Sequence, residues 1–310
     1  MKSVVFAYSQ LGHDCLKLLL ARGEIVTAVF THQDFPKECI WFDSVEKLAK
    51  ENQIPVFMPL SPNTPEIIET IRNLKPDIIF SFYYRQMICQ EILDIPSLGA
   101  LNMHGSLLPK YRGRCPVNWV IIYGESKTGA TLHYMVKAPD AGDIVDQEEV
   151  LIRNTDTAGM LMEKINEAAQ KVLNRQLVPL KQGTAMRIVQ DHSKSSYFGG
   201  RGPKDSQINW TQSAWQIHNL IRAMQPYPQY PSAFTNLDGE EVWMMKSIVP
   251  TSKTVPLVSP GQITNSNDNW IEVACGEGNQ RIRIENVNLK NDLESDIFSK
   301  LKIGKIFQNS

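Results

Sequence analysis

The chain has 310 residues, roughly two domains at about 150 residues each. Its composition, 42% hydrophobic and 21% charged, excludes a largely disordered polymer. Thirty-two basic residues against thirty-three acidic ones leave a formal charge of −1, which provides no footprint for non-specific nucleic-acid binding.

Residues 4–8 are a short β-rich run, and Ser9 and Gln10 follow too soon for the apolar core of a signal peptide. Gly12 opens a helical stretch carrying Leu16, Leu19 and Leu20 up to Gly23, with His13 read as a solvated residue at its start. Residues 25–30 form a second strand, and 44–52 a helix with Val45, Leu48 and Ala49 on one face. A short strand at 55–57 precedes a helix over 65–74, opened by Pro65 with acidic residues near its first turn. Residues 77–82 and 100–103 are near-continuous apolar strands, the pattern of a parallel sheet covered on both faces. Repeated strand–helix units predict an α/β domain with a Rossmann-like, mostly parallel sheet, whose ligands sit outside the carboxyl ends of the strands.

After Lys127 two strands, 130–136 and 144–150, flank a loop at 137–143, and an amphipathic helix follows over 157–173. Residues 193–207 are rich in Ser, Gly, Lys and Pro and read as a linker, which sets domains of 1–203 and 204–310. In the second domain a helix near 213–224 leads into short strands near 232, 242, 261, 271 and 282, predicting a small OB-like β-barrel. Nothing approaches an 18-residue apolar span, so no membrane insertion is expected. Cysteines 15, 39, 89, 115 and 275 are widely spread, without Cys-x-x-Cys, and read as free thiols in a reducing, cytoplasmic compartment.

Where a dinucleotide fold would carry Gly-x-Gly-x-x-Gly, residues 8–12 have only Gly12, so no NAD is expected. The chemistry-bearing stretch is 99–116, which contains Asn102-Met103-His104. Strand side chains repeat every two residues, so Asn102 and His104 point to one side at the sheet's carboxyl edge. Acyl transfer to an amine uses such a pair: an imidazole to take the amine proton and an amide donor for the developing oxyanion. Spacing alone favours a strand-end asparagine satisfying a turn beside a surface histidine. Lys110, Tyr111 and Arg112 are open between contacts to a substrate diphosphate and solvated residues. His133, mid-strand, reads as a satisfied core group. Tyr83 and Tyr84 beside Arg85 read either as an aromatic wall or as a strand-to-helix corner, and Cys115 is given no role.

The run Asn-x-His-x-Ser-Leu-Leu-Pro-x-Tyr-Arg-Gly-x-x-Pro over 102–116, with Asn118-Trp119 and Gly124-Glu125, resembles the signature of the folate-dependent formyltransferases. Gly129-Ala130-Thr131-Leu132-His133 and Asp140-Ala141-Gly142-Asp143-Ile144 are similar to that family's second motif. The resemblance narrows through Val29-Phe30-Thr31-His32-x-Asp34-x-Pro36, Trp41-Phe42-x-Ser44-Val45 and residues 80–85. It extends to 218–223 and Tyr230-Pro231-Ser232-Ala233-Phe234. These segments resemble the branch that forms the formyltransferase half of bifunctional polymyxin-resistance enzymes, which formylates the 4-amine of UDP-4-amino-4-deoxy-L-arabinose in lipid A modification.

The resemblance implies His104 as general base, Asn102 as the group steadying the oxyanion, and Asp140 as the carboxylate facing the histidine, with Asp143 the other acidic candidate. It implies 10-formyltetrahydrofolate as formyl donor and no metal. Gln86, Met87, Ile88, Arg114, Val136, Lys137, Ala138, Pro139 and Asp140 would bind that donor, and a nucleotide sugar would be the partner substrate. The rival acceptors are other nucleotide-linked amino sugars and methionyl-tRNA. Residues 201–310 balance eleven basic against eleven acidic residues, which disfavours a tRNA surface. The same trio could instead hydrolyse the folate. A Ser106-based hydrolase lacks the Gly-x-Ser-x-Gly elbow. A non-catalytic binding module has no need of all three groups. With no dinucleotide fingerprint before Ser310, the chain reads as stand-alone or as one half of a fusion with a dehydrogenase-decarboxylase.

Overall fold

The computed structural model describes residues 1–34, 40–225, 232–250, 255–290 and 297–308. Pro36, Cys39, Tyr230 and Pro231, invoked above, lie outside the described residues. The chain forms two compact units. One comprises Met1–Pro116, Lys127–Leu151 and Glu163–Gly199, and the other Val117–Ser126, Ile152–Met162 and Gly200–Ser310.

In the first unit β1 (Lys2–Ala7), α1 (Ser9–Ala21), β2 (Ile25–Phe30), α2 (Val45–Glu51), β3 (Val56–Phe57), α3 (Pro65–Leu74), β4 (Ile78–Phe82), α4 (Gln90–Leu93) and β5 (Ala100–His104) alternate. β6 (Arg112–Gly113), β7 (Lys127–Tyr134), β8 (Ile144–Leu151), most of α6 (Ala158–Gln182) and β9 (Tyr197–Phe198) follow, while α5 (Pro116–Ile122), past Pro116, and the first residues of α6 count with the second unit. Among the described residues, seven strands make one sheet in the order β3-β2-β1-β4-β5-β7-β8. The first five are parallel, and β7 and β8 run antiparallel. Every residue of β4 is buried, as are Val4, Val5, Phe6 and Ala7 of β1, because the central strands are covered on both faces.

Local chemistry sets the helix starts. Ser44 caps α2 by accepting the Lys47 N–H, and Thr64 caps α3 by accepting the Ile67 N–H, with Pro65 in the first turn. Gly12 answers a packing need rather than a cofactor: a Cβ there would lie 3.0 Å from the Phe82 carbonyl oxygen and 3.2 Å from Ala7. His13 differs from the expectation of a solvated residue. It is buried, with Nδ1 2.9 Å from Asp14, whose other oxygen accepts from Asn166 at 2.8 Å.

One further expectation changes. α6 continues to Gln182 rather than 173, because Leu173, Leu177 and Leu180 extend its buried face past the expected end. The stretch read as a linker contains the point where one unit gives way to the other, at Gly199–Gly200, and is ordered: β9 pairs with β6 in parallel, and 3-10 turns form at His192–Lys194 and Pro203–Ser206. Its backbone carbonyls supply acceptors that the loop before Pro116 requires.

The second unit carries α7 (Ala214–Ala223) and β10 (Ala233–Leu237), β11 (Glu240–Ser247), β12 (Ile263–Ser266), β13 (Ile271–Cys275) and β14 (Gln280–Leu289). Among the described residues these strands form an antiparallel sheet in the order β10-β11-β14-β13-β12. The C-terminal segment then joins the two outer strands. Phe307 N–H donates to Gly261 next to β12, and Gln308 N–H to Asn236 of β10. That closure satisfies edges an open sheet would expose, and matches the small barrel expected.

Candidate active site

β5 ends at the carboxyl edge of the sheet, where a cavity of about 390 Å³ opens, a size suited to a small organic ligand. Asn102 and His104 both line it, as strand alternation requires. The antiparallel pairing of β5 with β7 sets Asn102 opposite His133 and His104 opposite Thr131. Asp140 enters from the loop after β7 and also lines the cavity.

Oδ1 of Asp140 is the hub. It lies 3.6 Å from His104 Nδ1, 3.5 Å from His133 Nε2 and 3.5 Å from Asn102 Nδ2. Its Oδ2 accepts the Gly113 N–H at 2.8 Å. Burial alone would raise the pKa of this carboxyl. When the facing rings are protonated, the charge of His104 and the Nε2–H and charge of His133, with the Gly113 N–H, outweigh burial and hold it well below the usual carboxylate range.

The imidazoles are oriented by acceptors that cannot donate. His104 Nε2 lies 2.8 Å from the Tyr111 carbonyl oxygen, so Nε2 carries a proton and the neutral ring presents its lone pair at Nδ1, toward Asp140. His133 Nδ1 likewise donates to the Tyr134 carbonyl at 2.9 Å, which leaves its Nε2 to accept from Asn102 Nδ2 at 3.2 Å. His133 is therefore more than the core group the sequence suggested: it is 1% exposed, yet it orients the amide of Asn102 at the cavity wall. Only the strand register reveals that role.

Gln86, Met87, Ile88, Arg114, Val136 and Pro139 line the cavity, whereas Lys137 and Ala138 are exposed outside its lining. Met87 is 57% exposed and is not core. Tyr83 and Tyr84 both face the cavity, the wall rather than the corner of the two readings. The Tyr84 ring stacks on His32 at 4.2 Å, and burial pushes its phenol up to about 12. Among the described residues, the Tyr84 hydroxyl and Gln86 Oε1 are buried without a hydrogen-bond partner.

Arg112, Tyr111 and Lys110 are not delivered to the cavity. Arg112 is buried and donates to Gln190 Oε1 and His192 Nδ1, so its guanidinium serves an internal network. Tyr111 stacks on Phe198 at 5.0 Å, and Lys110 is exposed. Asp143 lies outside the lining, and Ser106 turns its hydroxyl to the Lys110 carbonyl at 2.7 Å. Cys15, Cys89, Cys115 and Cys275 are free thiols. Among the described residues no helix is long and apolar enough to cross a membrane.

The sequence profile of the formyl transferase family matches residues 2–177, and that of the formyl transferase C-terminal domain matches residues 202–299. Among solved structures the chain is similar to WlaRD, a sugar 3N-formyl transferase determined in the presence of dTDP and 5-N-formyl-THF. The TM-score is 0.72 and the identity 21%, over 94% of this chain and 99% of that one. The N-formyltransferase from Helicobacter canadensis, in complex with folinic acid and dTDP-3-aminofucose, gives 0.70 and 21% over 92% and 99%. HypX from Aquifex aeolicus, in complex with tetrahydrofolic acid, gives 0.62 and 17%, covering 94% of this chain and 44% of its own. At these identities the likeness is one of fold.

Proposed function

Because this chain belongs to the formyl transferase family, we propose that it moves a formyl group from 10-formyltetrahydrofolate to the amine of a nucleotide-linked sugar, the 4-amine of UDP-4-amino-4-deoxy-L-arabinose. The observation that carries the reading is the convergence of Asn102, His104 and Asp140 on one cavity, with Asp140 Oδ1 within 3.6 Å of the other two. The donor supplies an activated formyl carbon. The cavity suits a flat heterocycle with polar edges: Ile88, Leu93 and Met103 are apolar lining, and the Tyr84 hydroxyl and Gln86 Oε1 offer a donor and an acceptor without partners among the described residues. Arg114, at the exposed rim, suits an anionic tail.

His104 takes the amine proton at Nδ1 as the amine attacks, and the imidazolium so formed faces the ionised Asp140. The oxyanion on the formyl oxygen needs a donor, and Asn102 Nδ2 has one to give. Its contact to Asp140 at 3.5 Å is at the limit of a hydrogen bond and is the one replaced. The proton then passes from His104 to the departing folate nitrogen. The acceptor named here carries with it the lipid A modification and the cytoplasmic setting of the branch the sequence resembles.

A panel of amino-sugar nucleotides carrying uridine, thymidine and guanosine diphosphates, read by release of tetrahydrofolate, tests the reading. UDP-4-amino-4-deoxy-L-arabinose should turn over fastest, and folate turnover indifferent to every amine would replace transfer with hydrolysis. His104→Ala should abolish turnover while the fold and folate binding persist. A fully active His104→Ala enzyme would sink the mechanism.

A further inference from the structure

Residues 190–198 follow the long helix α6 and lie apart from the three reacting groups in sequence, yet they hold both loops that orient those groups. Gln190 is 4% exposed, and its amide is engaged on both sides. Nε2 donates to the carbonyl oxygens of Asp140 at 2.9 Å and Gly142 at 2.6 Å. Oε1 accepts from Arg112 Nε at 3.2 Å and Nη2 at 2.5 Å.

Arg112 sits between two residues whose backbones touch the centre. The carbonyl of Tyr111 receives His104 Nε2–H, and the N–H of Gly113 donates to Asp140 Oδ2. One side chain thus ties the backbone of Asp140 to the loop that holds the Asp140 carboxylate and the His104 ring. The bridge calls for an amide, because two carbonyls must be met by a donor and a guanidinium by an acceptor within one group. Asp140 itself has φ 53°, a left-handed conformation that a non-glycine residue keeps only when its surroundings hold it.

We propose that Gln190 is a positioning residue for formyl transfer: it locks Asp140 against loop 111–113 so that the carboxylate faces His104 and Asn102. The proposal rests on the reading of Asn102, His104 and Asp140 as the reacting groups.

Gln190→Glu tests it, keeping length and the acceptor toward Arg112 while turning the NH₂ into an oxygen that meets two carbonyls. Kinetics are taken with 10-formyltetrahydrofolate and UDP-4-amino-4-deoxy-L-arabinose, or whichever sugar nucleotide of the panel the wild type uses best. The expected result is a fall in kcat of roughly 10- to 100-fold with KM for the folate within about twofold, as for a reacting group shifted by about 1 Å. In an Asp140→Asn background the same change should cost less than about threefold, because its effect passes through the carboxylate.

A wild-type kcat in Gln190→Glu overturns the proposal. So does a fall of equal size in both backgrounds, or a raised KM with kcat unchanged. Gln190→Met, uncharged and of similar length, takes its place if the glutamate prevents folding, with the same outcomes. His104→Ala is run beside them. If it retains full activity, or if the wild type uses no sugar nucleotide, the underlying reading fails. If it is inactive and the Gln190 variants are not impaired, only the positioning role fails.

Discussion

Asp140 places one carboxylate, ionised despite burial, within 3.6 Å of two imidazoles and an amide from a left-handed backbone. Its protonation is unfavourable in the fold, so it contributes stability that is complete above the ordinary carboxylate range of about pH 4 and lost as pH falls below it. Asp140→Asn should flatten that part of the acid-unfolding curve, measured by urea midpoints between pH 5 and 2. It should also lower kcat by roughly 10²- to 10³-fold, because the imidazolium formed on His104 loses its facing charge. Gly113 offers a backbone test of the same geometry. It has φ 94°, and a Cβ there would lie 2.1 Å from the Phe198 carbonyl oxygen, so Gly113→Ala must displace the N–H that donates to Asp140. A cost of about 1–3 kcal/mol in urea unfolding is expected, with a fall in kcat of at least about tenfold. Asn102 and His104 were legible as a pair because strand alternation is a local rule. His133 was not, because its part depends on the register between β5 and β7, and no local pattern encodes which residues face across strands joined by a long connection.

Among the elements, strands and helices of the first unit follow the apolar period closely, and β2 and α3 have the bounds the sequence suggests. The stretch at 193–207, within which one compact unit gives way to the other at Gly199–Gly200, is informative. Ser, Gly and Pro mark a loop, but the Tyr111 N–H bonds Ser196 Oγ, and the Arg112 and Arg114 N–H groups bond the carbonyls of Ser196 and Phe198. A loop whose backbone satisfies another loop is ordered by partners distant in sequence, which composition does not register. α7 shows the converse: part of the motif that resembles a formyltransferase serves structure. His218 bonds Ser247 Oγ at 2.8 Å and the Asn154 carbonyl at 2.9 Å, while Arg222 Nη1 donates to the carbonyls of Arg153 and Asp156. Burial lowers the His218 pKa, outweighing the hydrogen bond to Asn154 that favours its charge. The unfolded chain therefore binds the proton more readily, and stability drops as pH falls below about 6.5. His218→Gln should reduce that dependence, read from unfolding midpoints between pH 7.5 and 5.

For the whole molecule, the two compact units differ: among the described residues, an open seven-stranded sheet in the first, and in the second a five-stranded sheet whose outer strands the C-terminal segment joins. In the second unit Phe307 is 1% exposed and stacks on Trp210 at 5.4 Å, in the segment that joins the outer strands. Phe307→Ala should lower stability by about 3–5 kcal/mol, seen as a lower urea midpoint at unchanged m-value. The amino-acid sequence by itself determined the α/β class, the chain order of the elements other than α4, α5, β6 and β9, and the barrel-like second unit, and its resemblance pointed to Asn102, His104 and Asp140, which line one cavity. Periodicity and a long motif are properties of neighbouring residues, so they survive without coordinates. Tertiary structure alone decided that Arg112 is buried in a network rather than offered to a ligand, and that His133 orients Asn102. It alone showed that Ser196 and Phe198, in the stretch read as a linker, accept from the backbone N–H groups of Tyr111, Arg112 and Arg114. Those outcomes depend on which donors and acceptors meet across large sequence separations, and the need to satisfy every buried polar group, not local propensity, selects them.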